Sequence, residues 1–364
     1  MINPTAAIID EVENYLSRFI VHPHREAKYA HVLWILHTHL MNEWETTPRL
    51  AFLSPEPGSG KTRALEITAL LVPNAVESAN QTAAYIARKV SNQSNRPTLL
   101  LDEVDAIFSD TRTVNEDLRA VLNAGYRKGA KVGKCLQTPN GNFIANDLYI
   151  YCAVVLASLN VIPNTLADRS IIIAMKKRSA KERVESYRVK KEEEVARALR
   201  GKIQGWAKTL EPIGQIEPDL PELISDRQAD IWEPLIIIAD LAGQEFGARA
   251  RESAIKIIME SRKKKPTLGI QLLGDIKNIF GDEKKQSTHR ILHLLNRKED
   301  APWGTFSGKP LSSHELARLL KPYDIAPKTI RVNTNETVKG YERSQFLETW
   351  ERYLIDSPSI SQSP

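Results

Sequence analysis

Along the first 46 residues apolar positions recur at helical spacing, over Ala6 to Ile20 and again over Glu26 to Glu43, where Ala30, Val32, Leu33, Ile35, Leu36 and Leu40 form a wide apolar face. The pattern then changes to short apolar runs. Leu50 to Leu53, Thr98 to Leu101, Val132 to Leu136 and Tyr149 to Leu159 read as strands, and a short strand at Ile171 to Met175 closes the series. Helical patterns at Ala64 to Leu71, Thr82 to Val90 and Asn115 to Arg127 lie between the first runs, with one weaker strand signal at Ala75 to Ser78. Strands alternating with helices in this way predict an α/β core with a largely parallel sheet.

After that core the pattern is helical again. Lys176 to Ile203 is charged, with pairs such as Glu193 and Arg197 at helical (i, i+4) spacing, and predicts a solvent-exposed helix. Pro212 to Pro221 reads as a linker. Asp226 to Trp232 and Glu233 to Leu241 predict two further helices, with Pro234 at the start of the second and Gly243 as its stop. The run Arg262 to Pro266 marks a boundary. Beyond it Ser287 to Asn296 is amphipathic, Ser312 to Glu315 is a capping box in front of Leu316 to Leu320, and Tyr323-Asp324 makes a turn. Pro327 to Val332 predicts another short helix, Lys339-Gly340-Tyr341 a small wing, and Ser344 to Leu354 a last helix. The expected division is 1–46 for the N-terminal helices, 47–178 for the core, 179–265 for a helical lid, 266–356 for a C-terminal domain and 357–364 for a flexible tail.

Composition narrows the class. The chain has 364 residues, 42% hydrophobic and 26% charged, which are the proportions of an ordinary globular protein long enough for two or three domains. No basic leader precedes an apolar core, and no apolar run approaches ~20 residues, so a cytoplasmic protein without a membrane span is expected. Cys135 and Cys152 are too few for a disulfide framework and have no metal-like spacing. The net charge is +5, and residues 251–364 hold 20 Lys/Arg against 14 Asp/Glu, so the basic excess is C-terminal. A polyanion is the partner that such a surplus would suit.

The chemistry is concentrated in two places on the core. Gly58-Ser59-Gly60-Lys61-Thr62 follows the strand Leu50 to Leu53 and opens a helix, so unpaired backbone N–H groups at the helix start point at phosphate oxygens. Lys61 would reach the β- and γ-phosphates. Thr62 would hold Mg²⁺ through its hydroxyl, and Asp102 would hold the same ion from the end of the buried strand Leu99 to Leu101. Glu103 would orient the attacking water. Together these residues read as a nucleotide triphosphatase using ATP and Mg²⁺. Pro55 stands where the full motif has its first glycine; neither Pro55 nor Pro57 donates an N–H, so loop stiffness changes while the amides of Gly58 to Thr62 are left intact.

A second constellation lies C-terminally. Three short helices with a tight turn suggest a helix-turn-helix with a wing, which would put Lys328, Thr329 and Arg331 near DNA phosphates or bases. His289 and His293 share one helix face, but without a third ligand a surface pair is expected and not zinc. Magnesium is the only ion expected.

Ser54-Pro55, Gly58 to Thr62, Leu100 to Asp105, Leu122 to Gly125, Pro163 to Ser170 and Trp232 to Gly243 together resemble an uncharacterised P-loop family, a domain of unknown function common in phages, prophages and actinobacterial mobile elements. The resemblance spans Tyr29 to Leu354, and the family's wider relatives are AAA+ ATPases and superfamily-three-type helicases. It implies an AAA+-like three-layer P-loop core followed by a helical lid and a winged-helix-like domain, assembled as a ring-like homo-oligomer, a hexamer, that acts on DNA. By matching positions it implies Asn160 as the polar sensor of the hydrolytic water, Arg169 as an arginine finger across a subunit boundary, and Arg227 as a second sensor arginine. A hairpin predicted between Val132 and Ala153, with its turn at Thr138 to Gly141, would grip DNA in the pore through Lys128, Lys131 and Lys134. The expected function is ATP hydrolysis coupled to DNA unwinding or translocation in phage or mobile-element replication. The alternatives are a nucleotide-switched DNA-binding regulator and an AAA+ protein remodeller or phage-exclusion ATPase.

Overall fold

The computed structural model describes residues 3–78, 83–104, 116–137, 143–159, 162–210, 212–224, 226–262, 268–298, 301–333 and 336–354. The chain divides into two compact units, Met1–Arg262 and Lys263–Pro364.

The first unit opens with α1 (Pro4–Phe19), where the Asn3 side chain accepts from the Thr5 and Ala6 amides, and α2 (Arg25–Thr38). Then follow β1 (Arg49–Leu53), α3 (Lys61–Leu71), β2 (Ala75–Ser78), α4 (Ala83–Val90), β3 (Thr98–Leu101) and α5 (Glu116–Ala124). A two-stranded antiparallel hairpin, β4 (Lys131–Gln137) and β5 (Phe143–Tyr149), leads into β6 (Ala153–Ser158), α6 (Asn164–Ala167) and β7 (Ser170–Ala174). The five strands β2-β3-β6-β1-β7 form one sheet in that order, every pair parallel. Its strands alternate strictly between two apolar layers: Leu50, Phe52, Val155 and Ala157 face one side, Ala51, Leu53, Val154 and Leu156 the other. Helices α4, α5 and α6 cover the second side, through Ile86, Val90, Val121, Leu122 and Leu166.

The first side is covered by α1, α2 and α3 together with α7 (Val189–Thr209), α8 (Arg227–Ala242) and α9 (Gln244–Arg262). These helices share one continuous apolar cluster with the sheet. Two expectations differ here. The segment 176–188 carries no helix; its Glu185 amide donates to the Arg18 carbonyl at 2.8 Å, and Tyr187 meets the Phe19 ring at 5.7 Å, so it lies extended against the end of α1. The two helices expected between Asp226 and Leu241 are one, with Pro234 inside. A proline there costs about 3 kcal/mol. Burial of Ile231, Trp232, Leu235, Ile236, Ile237 and Ile238, at roughly 1.5–3 kcal/mol per large side chain, exceeds that cost.

The second unit contains α10 (Leu268–Phe280), β8 (Lys285–Ser287), α11 (Thr288–Asn296), a 3₁₀ turn at Pro302–Gly308, α12 (Ser313–Leu320), β9 (Lys328–Asn333), β10 (Glu336–Glu342) and α13 (Leu347–Tyr353). Its sheet is antiparallel in the order β8-β10-β9. Phe280, Trp303, Leu316, Phe346 and Trp350 fill its own core, and the Trp303 indole donates to Asp275 Oδ2 at 2.7 Å. The capping box on Ser312 and Glu315 is present as expected. The short helix expected over Pro327 to Val332 is instead β9. Thr329 and Ile330 are β-branched, stiff at χ1, and pair with Lys339 and Val338 of β10. Among the described residues no helix is long and apolar enough to cross a membrane.

Candidate functional site

The carboxyl ends of β1 and β3 carry the site. After Leu53 the chain leaves the sheet through Ser54, whose hydroxyl accepts from the Glu56 amide at 3.2 Å and steadies the proline-bracketed entry. Gly58 and Gly60 have φ of +72° and +86°, where an L side chain is strained, and Gly60 is the N-cap of α3. Among the described residues nothing lies within 4 Å of where a Gly58 side chain would begin, and only Met175 Cε, at 3.8 Å, is near that point on Gly60. The Lys61 ammonium is buried inside the loop and donates to the Glu56 carbonyl at 3.2 Å and the Ser59 hydroxyl at 3.1 Å.

Strand β6 separates β1 from β3, yet Thr62 Oγ1, on the first turn of α3, donates to Asp102 Oδ2 at 2.9 Å. The other carboxylate oxygen of Asp102 accepts from the Glu103 amide at 2.8 Å. Glu103 is exposed and sits at φ +53°, an uncommon conformation for a residue with a Cβ, and backbone strain of that kind costs on the order of 1–3 kcal/mol. A hydroxyl and a carboxylate this close, below an open glycine loop at a helix start, suit a divalent cation with a triphosphate.

Asn160 lies outside the described residues. Arg169 precedes β7, at the opposite edge of the sheet: β1 pairs with β7 from Arg49↔Ser170 to Leu53↔Ala174, so the Gly58–Thr62 loop leaves the far end, roughly 13 Å along the strands at about 3.3 Å per residue. Its guanidinium lies 4.8 Å from the Tyr126 ring centroid, and Nη1 donates to the Thr165 carbonyl. Arg227 is at that same edge, 3.8 Å from Asp168. A sensor arginine acting within its own chain would stand at the Gly58–Thr62 loop, whereas Arg227 stands at this opposite edge.

Lys128 and Lys131, two of the three lysines expected at the hairpin, have separate partners. Lys128 precedes the hairpin and donates to the Asn42 carbonyl at 3.0 Å and to Glu45 at 3.3 Å. Lys131 on β4 faces Asp147 at 3.7 Å and the Tyr149 ring at 4.8 Å. Lys134 is three positions along the same strand, an odd spacing that assigns the two positions to opposite faces. The turn Thr138 to Gly141 lies outside the described residues. In the second unit, Thr329 is opposite Lys339 and Arg331 opposite Thr337, so these four exposed residues share one face of the β9–β10 ribbon. Lys328, opposite Gly340, belongs to the other face from Thr329 and Arg331. His289 and His293 stack at 6.4 Å on α11.

Two groups that pattern reading passed over tie the sheet's amino-terminal edge together. The fully buried Arg49 guanidinium donates to the Val121 carbonyl at 3.0 Å, to Leu122 at 3.3 Å and to Cys152 at 2.5 Å, and burial lowers its pKa to about 10. Tyr126 is the second. The only sequence signal for Arg49 was a charge at the start of an apolar run.

Residues 174–353 match a family model described as "Protein of unknown function (DUF3631)", a match that begins after the Gly58–Thr62 loop and the Asp102 strand. Among solved structures, the chain resembles "The A form apo structure of NrS-1 C terminal region-CTR" with a TM-score of 0.42 and 11% identity, covering 92% of this chain and 75% of that one. It also resembles the Aeropyrum pernix ORC2 protein with a TM-score of 0.29 and 13% identity, covering 90% and 92%. Likenesses this weak carry no functional inference. A relative from Saccharopolyspora erythraea, the "Uncharacterized 28.9 kDa protein in xis 5'region", is 36% identical over 186 residues, which are 50% of this chain and 70% of the relative. The chain therefore belongs to the family of this Saccharopolyspora erythraea protein, and the model that it matches is described as of unknown function (DUF3631).

Proposed function

We propose that the protein is a Mg²⁺-dependent ATPase that works on DNA as a ring-like homo-oligomer, a hexamer, unwinding or translocating the duplex in phage or mobile-element replication. The observation that carries the ATPase reading is the Thr62–Asp102 hydrogen bond beneath the Gly58–Thr62 loop. The amides of Gly58 to Thr62 and the Lys61 ammonium would hold the phosphates, and Thr62 and Asp102 the ion, which when bound supplies charge neutralisation at the transferring phosphoryl group. Glu103, exposed beside Asp102, would accept a proton from the attacking water. Arg169 cannot serve the loop of its own chain across the sheet, so we assign it to the neighbouring copy's site, where its planar fork would meet charge growing on the γ-phosphate.

The sheet and its helices would be the AAA+-like core, with the helices of 179–265 as its lid. The second unit has the helix–strand–helix–helix–strand–strand order of a winged helix, and we assign its duplex contact to Thr329, Arg331, Thr337 and Lys339 on the ribbon face. A further contact from the β4–β5 hairpin would use Lys131. The relative's position in an xis 5' region favours the mobile-element setting.

Phosphate release from ATP, with and without single-stranded DNA, and strand separation on a forked duplex test the whole reading. Hydrolysis abolished by Lys61→Ala, stimulated by DNA and coupled to separation is expected. Hydrolysis and DNA binding without separation would instead identify a nucleotide-switched regulator, and hydrolysis indifferent to DNA a protein remodeller. A protein that binds neither ATP nor GTP would overturn the reading.

A further inference from the structure

The amino-terminal edge of the sheet carries an arrangement that the proposed chemistry does not yet use. Arg169 is fixed twice there. Its backbone carbonyl accepts from the Arg49 amide at 2.8 Å, and its guanidinium carbon lies 4.8 Å from the centroid of the Tyr126 ring. Tyr126 is itself held in place by its surroundings. Its carbonyl accepts from the Thr47 amide at 2.8 Å, and the turn before it is locked because Gly125 donates to the Val121 carbonyl and accepts from the Cys152 amide, at 3.0 and 3.1 Å. A Cβ on Gly125 would come within 2.3 Å of the Ile150 carbonyl, so this turn admits no larger residue without shifting. The Arg49 guanidinium binds the Val121 and Leu122 carbonyls in the last turn of α5.

The guanidinium that rests on this ring is incompletely satisfied. Nη1 donates to the Thr165 carbonyl, but Nε is buried with no acceptor among the described residues. No carboxylate is paired with Arg169 among the described residues; Asp168, its neighbour in sequence, faces Arg227. An arginine held over a ring rather than by an anion is not neutralised where it stands and can still meet another anion.

We propose that Tyr126 is the positioning residue of Arg169: its ring holds the guanidinium at the sheet's amino-terminal edge and so sets the arginine that this chain offers to a neighbouring copy. The inference rests on the assignment of Arg169 to the neighbour's site. Tyr126 touches no nucleotide and acts only through Arg169, so its effect has a direction: it matters in the chain that donates the arginine and not in the chain that hydrolyses.

That direction is the test. Full-length Lys61→Ala protein, which offers Arg169 but has a disabled loop, is mixed with Arg169→Ala protein, which has an intact loop, and phosphate release from ATP is followed. Restored turnover in this parent mixture is the condition for a shared site; if it is not restored, the trans role of Arg169 fails and the positioning role falls with it, before Tyr126 is altered. Tyr126→Leu is then added to one chain or the other. We expect restored turnover to drop about 3- to 30-fold, the range spanned by a cation–π contact, when it accompanies Lys61→Ala, with KM for ATP unchanged. Turnover stays at the parent level when it accompanies Arg169→Ala, and Tyr126→Phe, which keeps the ring, stays there in either chain. Equal loss in both placements, or loss in neither, overturns the proposal.

Discussion

Thr62 and Asp102 meet at 2.9 Å although their strands are not neighbours: α3 starts over the carboxyl edge of the sheet, and its first turn spans β6 to reach the end of β3. Strands pack about 4.8 Å apart, so roughly 10 Å of sheet is crossed by a loop and one helical turn. The contact is therefore a property of the fold and not of sequence proximity.

If that pair holds the ion, its two members should fail differently from a packing defect. Thr62→Ser, which keeps the hydroxyl, should retain hydrolysis, whereas Thr62→Val and Asp102→Asn should each lower it on the order of 10²-fold or more, as expected for loss of a group that stabilises transition-state charge. Because both side chains are at the open edge of the sheet, melting temperature should change little. Titrating Mg²⁺ in the phosphate-release assay separates the cases: Asp102→Asn should need a higher metal concentration, and an unchanged metal requirement would remove Asp102 from the ion.

Glu103 combines a proposed base with a strained backbone. At φ +53° a glycine would be at ease, so Glu103→Gly should leave the folded chain as stable or up to about 1 kcal/mol more so, while hydrolysis falls about 10²- to 10⁴-fold. Glu103→Gln should keep nucleotide affinity and lose turnover to the same extent. Thermal melts beside single-turnover hydrolysis check this, and full turnover from Glu103→Gln would exclude the carboxylate as base.

Much of this arrangement could be read from the chain. Strands β1, β3, β6 and β7 are buried on both faces and so appear as unbroken apolar runs, and the loop between β1 and α3 declares itself by glycines at fixed offsets. What pattern could not give was set by register and packing. That Arg169 stands at the edge away from the loop follows only from β1–β7 pairing, and that Arg227 stands there too follows only from its approach to Asp168. Pro234 reads as a helix start until the burial around Trp232 and Leu235 is known, and Pro327 to Val332 reads as a helix start until β10 is there to pair with it. Arg49 shows only as an oddly placed charge, because its partners are carbonyls, which every residue has.

The ribbon face makes a prediction about DNA. Arg331→Ala and Lys339→Ala should each weaken duplex binding, and the slope of log affinity against log salt should become shallower by about one for each lost phosphate contact. Lys328→Ala, on the opposite face, should leave that slope unchanged. Fluorescence anisotropy on a labelled duplex between low and moderate salt reads both quantities. Equal effects from all three would place the contact elsewhere.

Buried histidines give the first unit a defined pH limit. His31 Nε2–H donates to the Thr68 hydroxyl at 2.8 Å, Thr68 donates in turn to the Ala64 carbonyl, and His31 Nδ1 is then the acceptor for His22 at 3.0 Å. His37 donates to the Trp34 carbonyl at 3.1 Å and accepts from Thr47 at 3.0 Å. Both rings must be neutral for these roles, and burial lowers the His37 pKa to about 3 and that of His31 well below the ordinary value. Since the unfolded chain takes up these protons near pH 6.5 and the folded chain does not, their contribution is fully present above that pH. It is lost as the pH falls below it, by up to about 1.4 kcal/mol per pH unit for each ring. Thr68 lies on α3, the helix that begins at the Gly58–Thr62 loop, so acid should loosen the candidate site's own support. Melting temperatures between pH 8 and pH 4.5 should decline with the steepest change below pH 6.5. His31→Gln and His37→Gln should each start lower at pH 8 and decline less, whereas an unaltered slope in both variants would show that other groups set the acid limit.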